Sequence, residues 1–203
     1  MRKLRSMGGA LLALGLALGS AVASAAGFPD KPVTLVVPYP PGGATDVIAR
    51  LIAEKLPAAW GQQVIVNNRP GAGTTVAAEA VARAPGDGYT LYMTTAAHTI
   101  SASLYKKLNY DPLKDFAPLT LTSTIPLVLV TAPSLPVKNL AELIAYGKAA
   151  PQGLSMASTG NGTPQHLTGE LFKAKTGMKL VHVPYRGDAP MPVSYTHLTL
   201  PTN

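Results

Sequence analysis

A short apolar run, a glycine-rich turn and an amphipathic helix follow one another three times, and this succession constrains the chain more than any other feature. Val33-Thr-Leu-Val-Val37 is nearly continuous in apolar, mostly β-branched residues, the pattern of a strand covered on both faces. Pro40-Pro41-Gly42-Gly43 then forces a turn. Thr45 stands where it could cap a helix whose apolar residues Val47, Ile48, Leu51, Ile52 and Leu56 recur at three- and four-residue spacing. Residues 64–66 predict a second strand and Pro70-Gly-Ala-Gly73 a second turn. A helix through Val76, Ala77, Ala80 and Val81 ends near Pro85-Gly86, and residues 89–94 predict a third strand. Strand, turn, helix, strand is a βαβ pattern and implies a parallel sheet.

Residues 106–126 lack this rhythm, and a boundary is expected around residues 122–126. Beyond it, residues 127–130 predict a strand. Asn139 with Glu142 three residues on forms a capping-box pattern for a helix over residues 140–149. Residues 154–158 predict a strand, and Thr159-Gly-Asn-Gly-Thr-Pro164 a turn. Pro164 suits the first turn of a helix through Leu167, Leu171 and Phe172, which Gly177 stops. Residues 180–183 predict another strand. The fold class is therefore α/β, in two units, without an internal sequence repeat.

Both ends depart from this pattern. Arg2, Lys3 and Arg5, an apolar run from Gly8 to Leu18 and the small residues Ala23-Ser24-Ala25 together read as a secretory signal peptide over residues 1–25, cut after Ala25 or Ala26. The competing reading is an uncleaved membrane anchor, because the uncharged stretch from Gly8 to Ala26 nears the ~20 residues that a spanning helix needs. Residues 193–203 are uncharged and begin no element. The string from Val193 to Thr202 resembles translated sequencing-adapter sequence, so residues 193–203 are expected to be a non-native tail and the domain to break off near Pro192. The expected organisation is 26–124 for domain I and 125–192 for the first part of domain II.

Cysteine is absent, which excludes disulfides, Cys-ligated zinc, iron–sulfur clusters and a thiol nucleophile. Without Arg2, Lys3 and Arg5 the net charge falls from +7 to about +4, and no Lys/Arg cluster with interleaved aromatics remains, which argues against nucleic-acid binding. The ten carboxylates form no close sequence pair, and Asp188 is one of these scattered residues. His98, His166 and His182 lack zinc-ligand spacing, and there is no Gly-x-Ser-x-Gly elbow. Neither a metal nor a cofactor nor a catalytic residue is expected.

The three glycine-rich turns span residues 39–46, 70–75 and 158–166. In open α/β sheets, ligands bind beyond the carboxyl ends of the strands, where helix starts aim backbone N–H groups outward and favour anions. Thr45, Thr74, Thr75, Ser158, Thr159 and Thr163 add neutral donors, a chemistry suited to carboxylates. Ordinary connecting loops would read the same way. Asp46, in the first turn of its helix, suits a helix-start role better than ligand contact, because it would repel a carboxylate. His166 reads equally as a pocket wall or as a structural residue.

Five separated segments resemble, in order, the tripartite tricarboxylate transporter substrate-binding proteins, the Bug or TctC family. They are Phe28-Pro-Asp-Lys-Pro-Val33 with Val36-Val-Pro-Tyr-Pro-Pro-Gly-Gly43 and Thr45-Asp46; Asn68-Arg-Pro-Gly-Ala-Gly73; Pro85-Gly-Asp-Gly-Tyr-Thr-Leu91; Ser158-Thr-Gly160 with His166-Leu167; and His182-Val-Pro-Tyr-Arg-Gly187. The resemblance implies a type II-like periplasmic binding protein of two hinged α/β domains, incomplete in this chain. It implies a non-enzymatic, monomeric receptor that captures small organic acids for integral-membrane transporter subunits. Carried over, Tyr39, Gly42, Gly43, Ala44 and Thr45 would form one wall of the ligand site. Ser158, Thr159, Gly160, Thr163 and His166 would form the other, with Gly71, Gly73, Thr74, Thr95 and Tyr185 as further candidates. A periplasmic ligand sensor and a small exported hydrolase with a Ser or Thr nucleophile remain the alternatives. A hydrolase would need an assignable nucleophile–base pair.

Overall fold

The computed structural model describes residues 27–188. The signal-peptide and tail expectations fall on residues 1–26 and 193–203, outside the described residues. Residues 27–30 belong to a separate unit and carry no helix or strand. The helices and strands of the described residues all lie in the unit from Lys31 onward.

The first sheet has the order β2-β1-β3, all parallel, from β1 (Val33–Val37), β2 (Val64–Asn68) and β3 (Thr90–Tyr92). β1 is central, with Val33 against Val64 and Leu35 against both Val66 and Leu91. A central strand between layers is wetted on neither face, which is why this run can be apolar nearly throughout. Val33, Leu35, Val37 and Tyr39 form a core with Ala49, Val64 and Met93, and Ile48, Ile52, Leu56 and Trp60 pack against it. Burying each Val or Leu in such a core contributes about 1.5–3 kcal/mol.

Helix α1 (Ala44–Trp60) supplies that inner layer. Its N-cap is Gly43, so Thr45 does not cap it; Thr45 is buried one residue inside the helix. The capping role passes to Asp46, whose carboxylate accepts from the Gly42 N–H. Val47 and Leu51, expected on the inward stripe, are exposed, because Asp46 and Ala49 take the inner positions. Gly61, in the left-handed region at φ 67°, ends the helix. A 3-10 turn (Ala72–Thr74) leads into α2 (Thr75–Ala82), and α3 (Ala97–Leu104) follows β3. The sequence pattern does not predict α3. Its Ala-His-Thr-Ile-Ser-Ala-Ser-Leu stretch lacks a strong stripe, and His98 and Ser101 are buried among its inward residues.

The second sheet pairs β4 (Leu154–Ser158) and β5 (Leu180–Pro184) in parallel. Helix α4 (Leu140–Ala149) begins at Asn139, whose side-chain oxygen accepts from the Glu142 N–H at 2.9 Å, while Glu142 reaches back to the Lys138 N–H at 2.8 Å. Helix α5 (Pro164–Thr176) starts with Pro164 in its first turn and ends at Gly177, φ 71°. The strand expected over 127–130 does not form. Residues 117–132 carry no helix or strand, and Val128 is 76% exposed. An apolar β-branched run becomes a strand only where another strand pairs with it, and among the described residues this one has no partner.

Candidate functional site

The first glycine turn leaves β1 through Pro38, Tyr39, Pro40 and Pro41 and enters α1 at Gly43. Asp46 organises it. This carboxylate is 2% exposed and accepts from Gly42 N at 2.9 Å, Arg50 Nε at 2.9 Å and Asn68 Nδ2 at 2.8 Å. Burial alone would raise its pKa. The bonds from Arg50, Gly42 and Asn68 and the guanidinium charge outweigh that and hold it down at about 2. Asn68 Nδ2 also donates to the Tyr39 carbonyl at 3.0 Å, so the end of β2 fixes the turn after β1. The helix-start role expected for Asp46 is thus what the geometry shows, and its charge is spent on the protein's own donors.

Tyr39 is buried, and its hydroxyl meets Thr95 Oγ1 at 2.7 Å. Burial chiefly pushes the Tyr39 phenol up, the bond to Thr95 works against that, and the nearby Asp188 carboxylate adds to the rise. Gly42 sits at φ 90°, where a side chain is disfavoured. Gly43 is extended at φ −79°, and its lack of a side chain serves close approach: a Cβ there would lie 3.0 Å from Asp188 Oδ2.

The second turn runs through left-handed backbone at Gly71, Ala72, Gly73 and Thr74, with φ of 141°, 43°, 60° and 82°. Thr74 does not cap α2. Its Oγ1 is buried without a hydrogen-bond partner, as is the Tyr92 hydroxyl. Burial pushes the Tyr92 phenol up to about 12; the Thr94 and Thr74 hydroxyls lie near enough to temper this, though outside hydrogen-bond geometry.

In the third turn Ser158 is fully buried, and its Oγ accepts from Gly160 N at 3.2 Å and meets His182 Nε2 at 2.6 Å. Thr163 caps α5, accepting from the His166 N–H, and its Oγ1 donates to the Gly160 carbonyl at 2.8 Å. His166 Nδ1 accepts from Gly162 N at 3.1 Å, and its ring stacks on His182 at 4.1 Å. His166 therefore holds the turn together. Burial first, then the neighbouring His166, lowers the His182 pKa. Thr159 Oγ1 donates to Gln165 Oε1 at 3.0 Å.

These turns approach one another in pairs. The Gly73 position faces the Asn161 carbonyl, 2.5 Å from where a Cβ would stand, so the second turn touches the third. The segment leaving β5 is tied to the third turn by Tyr185 N–H to the Ser158 carbonyl at 2.9 Å and Gly187 N–H to the Thr159 carbonyl at 3.2 Å. That segment carries Gly187 against Pro40 and Asp188 against Gly43 on the first turn. Of the expected residues, Tyr39, Gly42, Gly43 and Thr95 gather at the first turn, Gly73 and Thr74 at the second, and Ser158, Thr159, Gly160, Thr163, His166 and Tyr185 at the third. Ala44 and Thr45 are the first residues of α1. Sequence reasoning missed Asn68, Tyr92, His182 and Asp188 as shaping residues. Asn68 and His182 lie inside the family-like segments, whereas nothing in the local pattern marks Tyr92 or Asp188. No group of three His, Cys, Asp or Glu side chains able to hold a metal occurs among the described residues.

The model of the "Tripartite tricarboxylate transporter family receptor" matches residues 48–194. Three solved structures are similar to the chain. One is an R. palustris protein with adipate, 40% identical with a TM-score of 0.80, aligned over 84% of this chain and 57% of that one. The second is MatC from Rhodopseudomonas palustris with bound malate, 34% identical with a TM-score of 0.77 over 84% and 58%. The third is the periplasmic binding protein BugD, 36% identical with a TM-score of 0.70 over 80% and 55%. The chain spans about half the length of the curated relatives it matches, 48% and 53% for two of them. The α/β fold thus matches periplasmic binding proteins over part of their length. A family match covering most of the chain, joined to structural likeness at 34–40% identity, leads to one conclusion: this chain belongs to the tripartite tricarboxylate transporter receptor family, the TctC or Bug family of solute-binding proteins.

Proposed function

We propose that the chain is the ligand-capturing portion of a periplasmic receptor that takes up a small carboxylic acid and hands it to integral-membrane transporter subunits. The observation that carries this reading is the meeting of glycine-rich strand ends from both sheets. Asp188 lies against Gly43, and Asn161 against Gly73. Between them they present neutral hydroxyls and backbone N–H groups, the donors that hold a carboxylate at helix starts. Residues 26–124 and 125–192 are read as parts of two domains that close on the ligand. Tyr39, Gly42, Gly43, Ala44, Thr45, Gly73, Thr74 and Thr95 line one side, and Ser158, Thr159, Gly160, Thr163, His166 and Tyr185 the other. Export through residues 1–25 accords with the periplasmic relatives. A thermal-shift screen of organic acids on the natural gene product tests the reading. It expects stabilisation by at least one carboxylate, with the acid recovered unchanged by mass spectrometry. No shift with any acid would overturn it.

A hydrolytic reading has one observation in its favour, the 2.6 Å contact between Ser158 Oγ and His182 Nε2. Ser158 is nonetheless 0% exposed and shares its hydroxyl with the Gly160 turn, and among the described residues no carboxylate is hydrogen-bonded to His182. This pair is better suited to pinning the third turn than to attacking a substrate. Ester turnover that disappears in Ser158→Ala would favour the hydrolase instead.

A further inference from the structure

We propose that Asp188 is a specificity-determining residue of the carboxylate site, selecting an acid that also carries a cationic amino group over a dicarboxylate. The inference rests on the receptor reading above and names the ligand class for that same site. Asp188 Oδ2 lies 3.0 Å from the position a Gly43 Cβ would occupy, so its carboxylate stands directly at the start of α1. It is held there. Gly187, at φ 107°, packs on Pro40 with 2.7 Å between its virtual Cβ and Pro40 Cδ, and its N–H donates to the Thr159 carbonyl. The turn carrying Asp188 is therefore fastened to both the first and the third glycine turns.

Asp46, the other carboxylate of the first turn, is matched by Arg50 at 2.9 Å. Asp188 has no ion pair or hydrogen bond among the described residues, and Arg186, two residues earlier, does not pair with it. Burial chiefly raises the Tyr39 phenol, and the charge of Asp188 adds to that rise. The remaining groups proposed for the walls are hydroxyls, backbone groups and His166. Among the described residues, a carboxylate with no cationic side chain paired to it thus stands in a site otherwise suited to an anion. A monocarboxylate with an ammonium group satisfies both halves, with the carboxylate on the N–H groups and hydroxyls and the ammonium on Asp188. A dicarboxylate of the same length places a second negative charge in the field of Asp188 without a cation to offset it.

The test is calorimetry on the natural gene product and its Asp188→Asn variant, with two matched pairs of probes. One pair is adipate and 6-aminohexanoate; the other is succinate and 4-aminobutanoate. The expected result is that in at least one pair the wild type binds the amino acid at least tenfold more tightly than its dicarboxylate partner. Asp188→Asn then erases or inverts that ratio. Asp188→Ser, which removes the charge differently, must give the same loss of preference, and unchanged circular dichroism for both variants rules out misfolding as the cause. A wild type that binds the dicarboxylates as tightly as the amino acids would overturn the inference and leave the receptor reading standing. So would a ratio unchanged by Asp188→Asn. A uniform gain for every acid in Asp188→Asn would make Asp188 a plug rather than a selector, which also overturns it. Absence of binding by any carboxylate, here and in the wider screen, defeats the receptor reading and this inference with it.

Discussion

Asp46 shows how much one side chain can do at the mouth of a βα turn. Its carboxylate replaces a missing cap, ties α1 to β2 through Asn68 and neutralises Arg50, at the cost of being buried. Its pKa of about 2 in the fold lies below the ordinary value of 3.8. The native state therefore holds this proton less readily than the unfolded chain does. The resulting stabilisation, about 2 kcal/mol, is fully present above pH ~4 and is lost as pH falls through ~2. Urea unfolding between pH 5 and 2 should show this contribution falling away. In Asp46→Asn the corresponding part of the acid dependence should be missing, and an unchanged slope would contradict the assignment. The role was half legible. A first-turn acidic residue suggests a helix-start function, but its partnership with Asn68 links positions 22 apart and depends on the β1–β2 register.

At the scale of the elements, the caps of α4 and α5 were legible, whereas the cap expected at Thr45 and the inward stripe expected through Val47 and Leu51 were not, because Gly43 is the N-cap and Asp46 and Ala49 take the inner positions. Asn139 with Glu142, and Pro164 with Gly177, mark α4 and α5 to the residue. Asn139→Ala should therefore cost about 1 kcal/mol in a denaturant titration. An Asn139→Ala protein as stable as wild type would contradict the capping role. Where structure depends on a distant partner, the local pattern misled. The 127–130 run has the composition of a strand but finds none to pair with, and α3 is held by buried His98 and Ser101 rather than by a stripe. Gly73 is a third case. Its glycine motif predicts a turn, but only the fold shows that a side chain there would meet the Asn161 carbonyl and the Tyr105 hydroxyl, both at 2.5 Å. Gly73→Ala combines that collision with a left-handed φ of 60°, which alone costs about 1–2 kcal/mol. It should lower the melting temperature and weaken ligand binding together. A variant as stable as wild type would show that the second and third turns do not meet this closely.

For the whole molecule, function turns on whether glycine turns from two sheets share one ligand. A micromolar ligand needs about 8 kcal/mol of net binding free energy, whereas charge at one helix start contributes about 0.3–2 kcal/mol. On the proposed reading no single turn is sufficient, so a shared site would need the turns to act together and exclude water. Gly43 is where the first turn, Asp188 and the proposed ligand converge, and a Val there would project branched carbons into the space that Asp188 borders at 3.0 Å. Lys55, exposed and paired with Glu54 at 2.8 Å, lies on the outer side of α1 and serves as the control. Calorimetry of the natural gene product with its best acid, repeated on Gly43→Val and Lys55→Ala, is the most direct measurement. A shared site predicts at least a hundredfold loss for Gly43→Val with the fold intact by circular dichroism, and affinity within twofold of wild type for Lys55→Ala. Wild-type affinity in a folded Gly43→Val protein would show that the ligand does not sit on this turn.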